Sequence, residues 1–105
     1  MKQIDYNAHH FIVDEDGFLQ ESHKWGSVWL EYVMEEEGIG ELTEDHSKVI
    51  EFIREFYKKN TLAPLVRSIS KTTGLKHKNI YELFPSGPAK GACRMAGLPK
   101  PTGCV

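Results

Sequence analysis

The apolar positions of this chain change rhythm near residue 24. Before it they stand in short runs, Phe11-Ile12-Val13 and Phe18-Leu19, flanking Asp14-Glu15-Asp16-Gly17. Gly17 tolerates positive φ and the aspartates favour a turn, so this pattern predicts a hairpin. A further strand near residues 3–6 would extend it into a meander. After residue 24 the period lengthens. Trp25, Val28, Trp29, Tyr32 and Val33 recur at three- and four-residue steps and predict a helix over 24–37. Ser22 is its expected N-cap and Gly38 its stop. The run Glu35-Glu36-Glu37 lies at the end where the macrodipole disfavours negative charge.

Four more helices follow. Thr43 caps the second, Glu44 and Asp45 suit its first turn, and Val49, Ile50, Ile53, Phe56 and Tyr57 form its stripe. Lys58 and Lys59 suit its last turn. The third starts at Pro64, takes its apolar face from Leu65, Val66 and Ile69, and ends at Gly74. The fourth covers about 78–84 and stops at Pro85. The fifth starts near Pro88, carries Lys90, Cys93 and Arg94, and ends before Gly97. Pro99, Pro101 and Gly103 then forbid a helix and predict an extended arm. The expected fold class is α+β: a small N-terminal β-meander or hairpin packed on an array of about five α-helices. Residues 1–97 form one globular domain in this reading, and 98–105 a mobile C-terminal arm.

Composition adds limits. A chain of 105 residues, 40% hydrophobic and 27% charged, fits one ordinary globular domain. Its apolar runs are too short for a transmembrane helix, and its polar start does not read as a signal peptide. The expected location is cytoplasmic. The net charge of -2 hides a split. Residues 1–57 carry 14 acidic and 4 basic side chains, whereas 58–105 carry one acidic and 9 basic. Either the two halves attract each other within the fold, or a basic face is offered to an acidic partner.

The two cysteines are unusually placed. Cys93 falls on the last predicted helix and Cys104 is penultimate, on the arm. A buried structural cysteine is the common case inside cells, and Cys93 could be one. Cys104 fits that description poorly, because chain ends are rarely packed in a core. Ten intervening residues also permit a bridge, which would constrain the unfolded chain by roughly 2.5–3 kcal/mol. In a reducing compartment such a bond would be transient and functional. Arg94 and Lys100 would favour the reactive thiolate, and the terminal carboxylate beside Cys104 would oppose it. His9, His10, His23, His46 and His77 match no zinc-ligand spacing, and no C-x-x-C, Walker A or dinucleotide fingerprint is present.

The segment Gly87-Pro88-Ala89-Lys90-Gly91-Ala92-Cys93-Arg94, followed by Ala96-Gly97-Leu98-Pro99-Lys100-Pro101-Thr102-Gly103-Cys104-Val105, resembles the C-terminal signature of the DsrC/TusE family of sulfur-trafficking proteins. Val13-Asp14-Glu15-Asp16-Gly17-Phe18, Ala63-Pro64-Leu65-Val66-Arg67 and Tyr81-Glu82-Leu83-Phe84-Pro85 extend the likeness over nearly the whole chain. Holding both cysteines, the sequence is most like the DsrC branch, the gamma subunit of dissimilatory sulfite reductase. The TusE branch typically keeps only the penultimate one. A short insertion that some members carry between the segments matching Gly74 and Tyr81 is absent.

The resemblance implies a carrier that is not catalytic alone. Its arm would enter the reductase and bring Cys104 to the siroheme, and Cys93 would close on the captured sulfur to leave a trisulfide. The implied partners are the alpha and beta subunits of the reductase and a membrane-bound heterodisulfide-reductase-like complex. Siroheme and iron–sulfur clusters would belong to the partner, with no cofactor on this chain, which would be monomeric when free. Eight residues after Gly97 could reach roughly 26–29 Å. Lys90, Arg94, Lys100 and Arg67 are candidate partner-binding residues.

Two other functions compete. A sulfur relay for tRNA 2-thiouridine synthesis would use Cys104 and leave Cys93 idle. A helix-turn-helix at helix three, Gly74 and helix four, opened by Lys76, His77, Lys78 and Asn79, would bind DNA weakly. It gives no reason for the terminal cysteine. A stand-alone thiol oxidoreductase would need an acid–base residue, and none is evident. Trp25 and Trp29 read as core.

Overall fold

A computed structural model describes residues 1–99, with the backbone alone for 88–90. Lys100 and Cys104, and with them the arm expected over most of 98–105, lie outside the described residues.

β1 (Lys2–Tyr6) and β2 (His9–Val13) pair antiparallel, Lys2 opposite Val13 and Tyr6 opposite His9. Asn7 and Ala8 join them with φ of 47° and 65°. Positive φ at both turn positions matches the twist of a two-residue hairpin. The hairpin expected between 11–13 and 18–19 shrinks to a single bridge, Val13 to Leu19. The Asp14 carboxylate explains this. It accepts the N–H groups of Asp16 and Phe18, each at 2.9 Å, and curls 14–18 into a tight turn instead of a second strand.

The first helix also differs from expectation. Ser22–Lys24 form one 3-10 turn, and α1 runs only over Ser27–Glu37. Trp25 is extended because its indole N–H is donated to Met95 O, 70 residues away, and this pulls it off the helix. α2 (Glu44–Asn60) has the expected Thr43 cap. α3 (Val66–Thr73) starts two residues after Pro64, which leaves Leu65 at the N-cap position and exposed instead of on the apolar face, and ends at Gly74 with φ of 78°. α4 (His77–Leu83) follows. The terminal helix, Pro88–Cys93, is wound as a π-helix. Such turns are rare and concentrate at functional sites.

The hairpin docks on α1 through aromatic edges. Phe11 meets Trp29 at 5.2 Å, and Tyr6 meets Tyr32 at 5.7 Å. Val33, Val49, Ile53, Ile69, Ile80, Phe84 and Met95 complete a core that α2 joins to α3 and the terminal helix. His46 ties α2 to the end of α4. Its Nδ1 accepts the Thr43 N–H at 3.1 Å, so Nε2 carries the proton and donates to Leu83 O at 2.9 Å. No helix among the described residues is long and apolar enough to cross a membrane.

Candidate functional site

Cys93 closes the terminal helix, and its residue is 0% exposed. Burial away from water pushes its thiol up to about 12. At neutral pH it is therefore a protonated core side chain. The expectation that Arg94 favours the thiolate fails for a geometric reason. The guanidinium is directed into the fold, where Nη2 lies 3.5 Å from Glu37 Oε2 and Nη1 sits against Gly17. A Cβ on Gly17 would come within 2.8 Å of that nitrogen.

Arg94 is thus no surface cation in this structure. Glu37 also accepts the Ser86 N–H at 3.1 Å and the Ser86 hydroxyl at 2.6 Å. The carboxylate that seemed misplaced at the end of α1 ties the chain entering the terminal helix to the residue leaving it. This ion pair joins the acidic half of the sequence to the basic half. The remaining cations behave otherwise: Lys58, Lys59, Arg67, Lys71, Lys76 and Lys78 are exposed. The side chain of Lys90 and all of Lys100 are not described.

Every helix ends with carbonyls that lack partners within it. Here three side chains supply donors. Trp29 Nε1 donates to Arg94 O, Trp25 Nε1 to Met95 O and Arg54 Nη1 to Ala96 O, each at 2.8 Å. Arg54 also stacks on the Trp25 ring, 3.7 Å from its centroid. Gly97 then turns the chain at φ of 78°, with the Trp25 ring filling the space a Cβ would take. Its N–H bonds Arg94 O, and the Leu98 N–H bonds Cys93 O at 3.2 Å, the paired bonds of a Schellman cap.

Leu98, assigned to the arm from sequence, is only 3% exposed and belongs to the globular part. Counted from Leu98, the six backbone steps to Cys104 span at most about 20–22 Å, less than the sequence estimate.

The sequence reading missed Trp25, Trp29, Arg54 and Glu37 as parts of this site. One signal was available. Gly97 marks a helix end, whose carbonyls need donors, and two tryptophans four residues apart offer two. An open groove of about 880 Å³ runs beside Trp25 and Arg54, edged by Lys48, Lys58 and Lys59. Among the described residues no cluster of His, Cys, Asp and Glu could hold a metal ion.

The family model described as "DsrC like protein" matches residues 5–105, which include the whole of this capped helix and both cysteines. The chain belongs to the DsrC family. It is 58% identical, over the full length of both chains, to the "Sulfite reductase, dissimilatory-type subunit gamma" of Nitratidesulfovibrio vulgaris. It is 35% identical to "Sulfurtransferase TusE" of Pectobacterium atrosepticum, covering 97% of this chain and 99% of that protein. A chain from the crystal structure of dissimilatory sulfite reductase I superposes with a TM-score of 0.92 at 54% identity, covering 99% of this chain and 100% of that one. The DsrC fold is the α+β arrangement of N-terminal hairpin and helices found here.

Proposed function

We propose that this chain is a sulfur carrier of dissimilatory sulfite reduction, acting with the reductase and not as a catalyst alone. The full-length 58% identity to a gamma subunit carries the reading. Cys104 is the acceptor and Cys93 the resolving thiol. In the balanced step, the two thiols, sulfite, two electrons and four protons give a Cys93–S–Cys104 trisulfide and three waters. The electrons come from the reductase, whose alpha and beta subunits are the docking partners. Four further electrons and four protons, supplied by a membrane-bound heterodisulfide-reductase-like complex, restore both thiols and release hydrogen sulfide.

A tether this short keeps the second thiol at high effective concentration, which favours closure over loss of the captured sulfur. The cations Lys58, Lys59, Arg67, Lys71, Lys76 and Lys78 are exposed and so open to an acidic partner.

Intact mass after incubation with reductase, sulfite and an electron donor tests this. Wild type gains one sulfur and loses two hydrogens, and Cys93→Ala and Cys104→Ala do not. An unchanged wild-type mass beside an active reductase refutes it. The 35% identity to TusE supports a second reading, a relay for tRNA thiolation. There Cys93→Ala would transfer sulfur as well as wild type does.

A further inference from the structure

Three of the four large apolar side chains that stand exposed among the described residues, Leu62, Leu65 and Tyr81, lie in one stretch without a carboxylate. Between Glu55 and Glu82 the chain carries six cations, Lys58, Lys59, Arg67, Lys71, Lys76 and Lys78, and no acidic residue. All six are exposed, and among the described residues none of them is in an ion pair. Leu62 and Leu65 sit on the loop 61–65 that joins α2 to α3, at 61% and 44% exposure. The loop is anchored between them. Pro64 is buried and Ala63 packs against the core, so these two turn inward while the leucines stay in water. Single apolar residues on a surface need no explanation, but a pair on one anchored loop does.

The cations stand on both sides of that loop. Lys58 and Lys59 end α2 just before it. Arg67 and Lys71, one turn apart, share the exposed side of α3 just after it. α3 packs against both α2 and α4, which keeps the charged elements adjoining. A nucleic acid, or an acidic protein face that pairs with the cations alone, would leave both leucines in water. An anionic bilayer takes both parts: its phosphates meet the cations and its acyl boundary takes the leucines.

We propose that the loop 61–65 and its flanking cations form a membrane-contact surface, which seats the protein on an anionic lipid bilayer with Leu62 and Leu65 entering the boundary between headgroups and acyl chains. The contact is peripheral and reversible. Each Lys or Arg close to such a surface contributes a factor of about five in partitioning. The surface is a property of the chain alone. Under the carrier reading it holds the protein at the membrane, where the reduction of its trisulfide is proposed.

The test is cosedimentation of the full-length, reduced protein with vesicles of equal parts phosphatidylglycerol and phosphatidylcholine, beside vesicles of phosphatidylcholine alone. Wild type should partition onto the mixed vesicles at least about 10-fold more strongly than onto the neutral ones, and less as salt is raised. Lys58→Gln/Lys59→Gln should weaken partitioning by about 20- to 30-fold. Leu62→Ser and Leu65→Ser should each weaken it by about 3- to 10-fold. Leu65→Ser also gives α3 a better N-cap residue, so weaker binding there does not report unfolding. Lys2→Gln removes an exposed cation from the hairpin and should leave partitioning unchanged.

Equal sedimentation with both vesicle types, or none with either, overturns the proposal. So does wild-type partitioning in both leucine variants, because binding through cations alone describes an acidic protein face or a nucleic acid instead. If one variant does not fold, the others decide. A protein that partitions as described yet captures no sulfur from the reductase refutes the carrier reading and leaves the membrane surface standing. Sulfur capture without partitioning does the reverse.

Discussion

Raising the pH should destabilise this protein through Cys93. The perturbation is a shift from pH 8 to pH 11, applied to protein with Cys104→Ala so that no second thiol titrates. In the unfolded chain the Cys93 thiol ionises near 9, whereas burial raises it to about 12 in the fold. A group whose folded pKa lies above its unfolded value contributes stability that is intact below the unfolded pKa. That stability is lost as pH climbs towards the folded one. The loss therefore falls between about pH 9 and pH 12. At about 1.36 kcal/mol per unit it approaches 4 kcal/mol in full, and about 2–3 kcal/mol by pH 11.

Tyr6 and Tyr32 are also raised, chiefly by desolvation. The matched Cys93→Ala protein carries those same groups, so the difference between the two isolates Cys93. The assay is the urea midpoint at several pH values. The parent should lose stability more steeply than Cys93→Ala above pH 9, although it is the more stable of the two at pH 7. Parallel curves would refute the reasoning and mean that the Cys93 thiol is hydrated in the native state.

Two further predictions follow from close contacts. Gly97→Ala should cost about 2–3 kcal/mol, from the left-handed φ and a Cβ placed 2.5 Å from Trp25 Cδ1. Gly38→Ala has the same sign of φ with open space around it and should cost only about 1 kcal/mol, so the difference in urea midpoints reads the Trp25 collision. Glu37→Gln leaves the buried Arg94 without its countercharge and should cost about 1–3 kcal/mol in thermal unfolding, with part recovered in the double variant Glu37→Gln/Arg94→Met. A loss below about 0.5 kcal/mol in the single variant would show that the pair is solvated.

The features legible in the sequence are those decided locally. α2 was readable because its Thr43 cap, its acidic first turn and its apolar stripe agree, whereas the long-range bonds of His46 and Arg54 were not. The Asn7-Ala8 turn was not readable, because alanine is a poor occupant of positive φ and gives no turn signal. The start of α1 was misplaced because a bond to Met95 outranks the helical periodicity that includes Trp25. The same limit applies at the site. Pro88 and Gly97 mark the ends of the Cys93 segment, but the thiol's burial and the inward turn of Arg94 depend on α1, α2 and the 14–18 turn. None of these is near in sequence.

The Schellman cap at Gly97 gives the chain beyond it a fixed zero point. Because the Leu98 amide is bonded to the carbonyl of Cys93 itself, the reach of Cys104 is measured from Cys93. Each residue inserted between Leu98 and Cys104 moves the far mark by at most about 3.3–3.6 Å and leaves the near mark in place. The segment is in that sense a graduated rule. A partner whose reacting centre lies at one depth would select its length to within a residue or two.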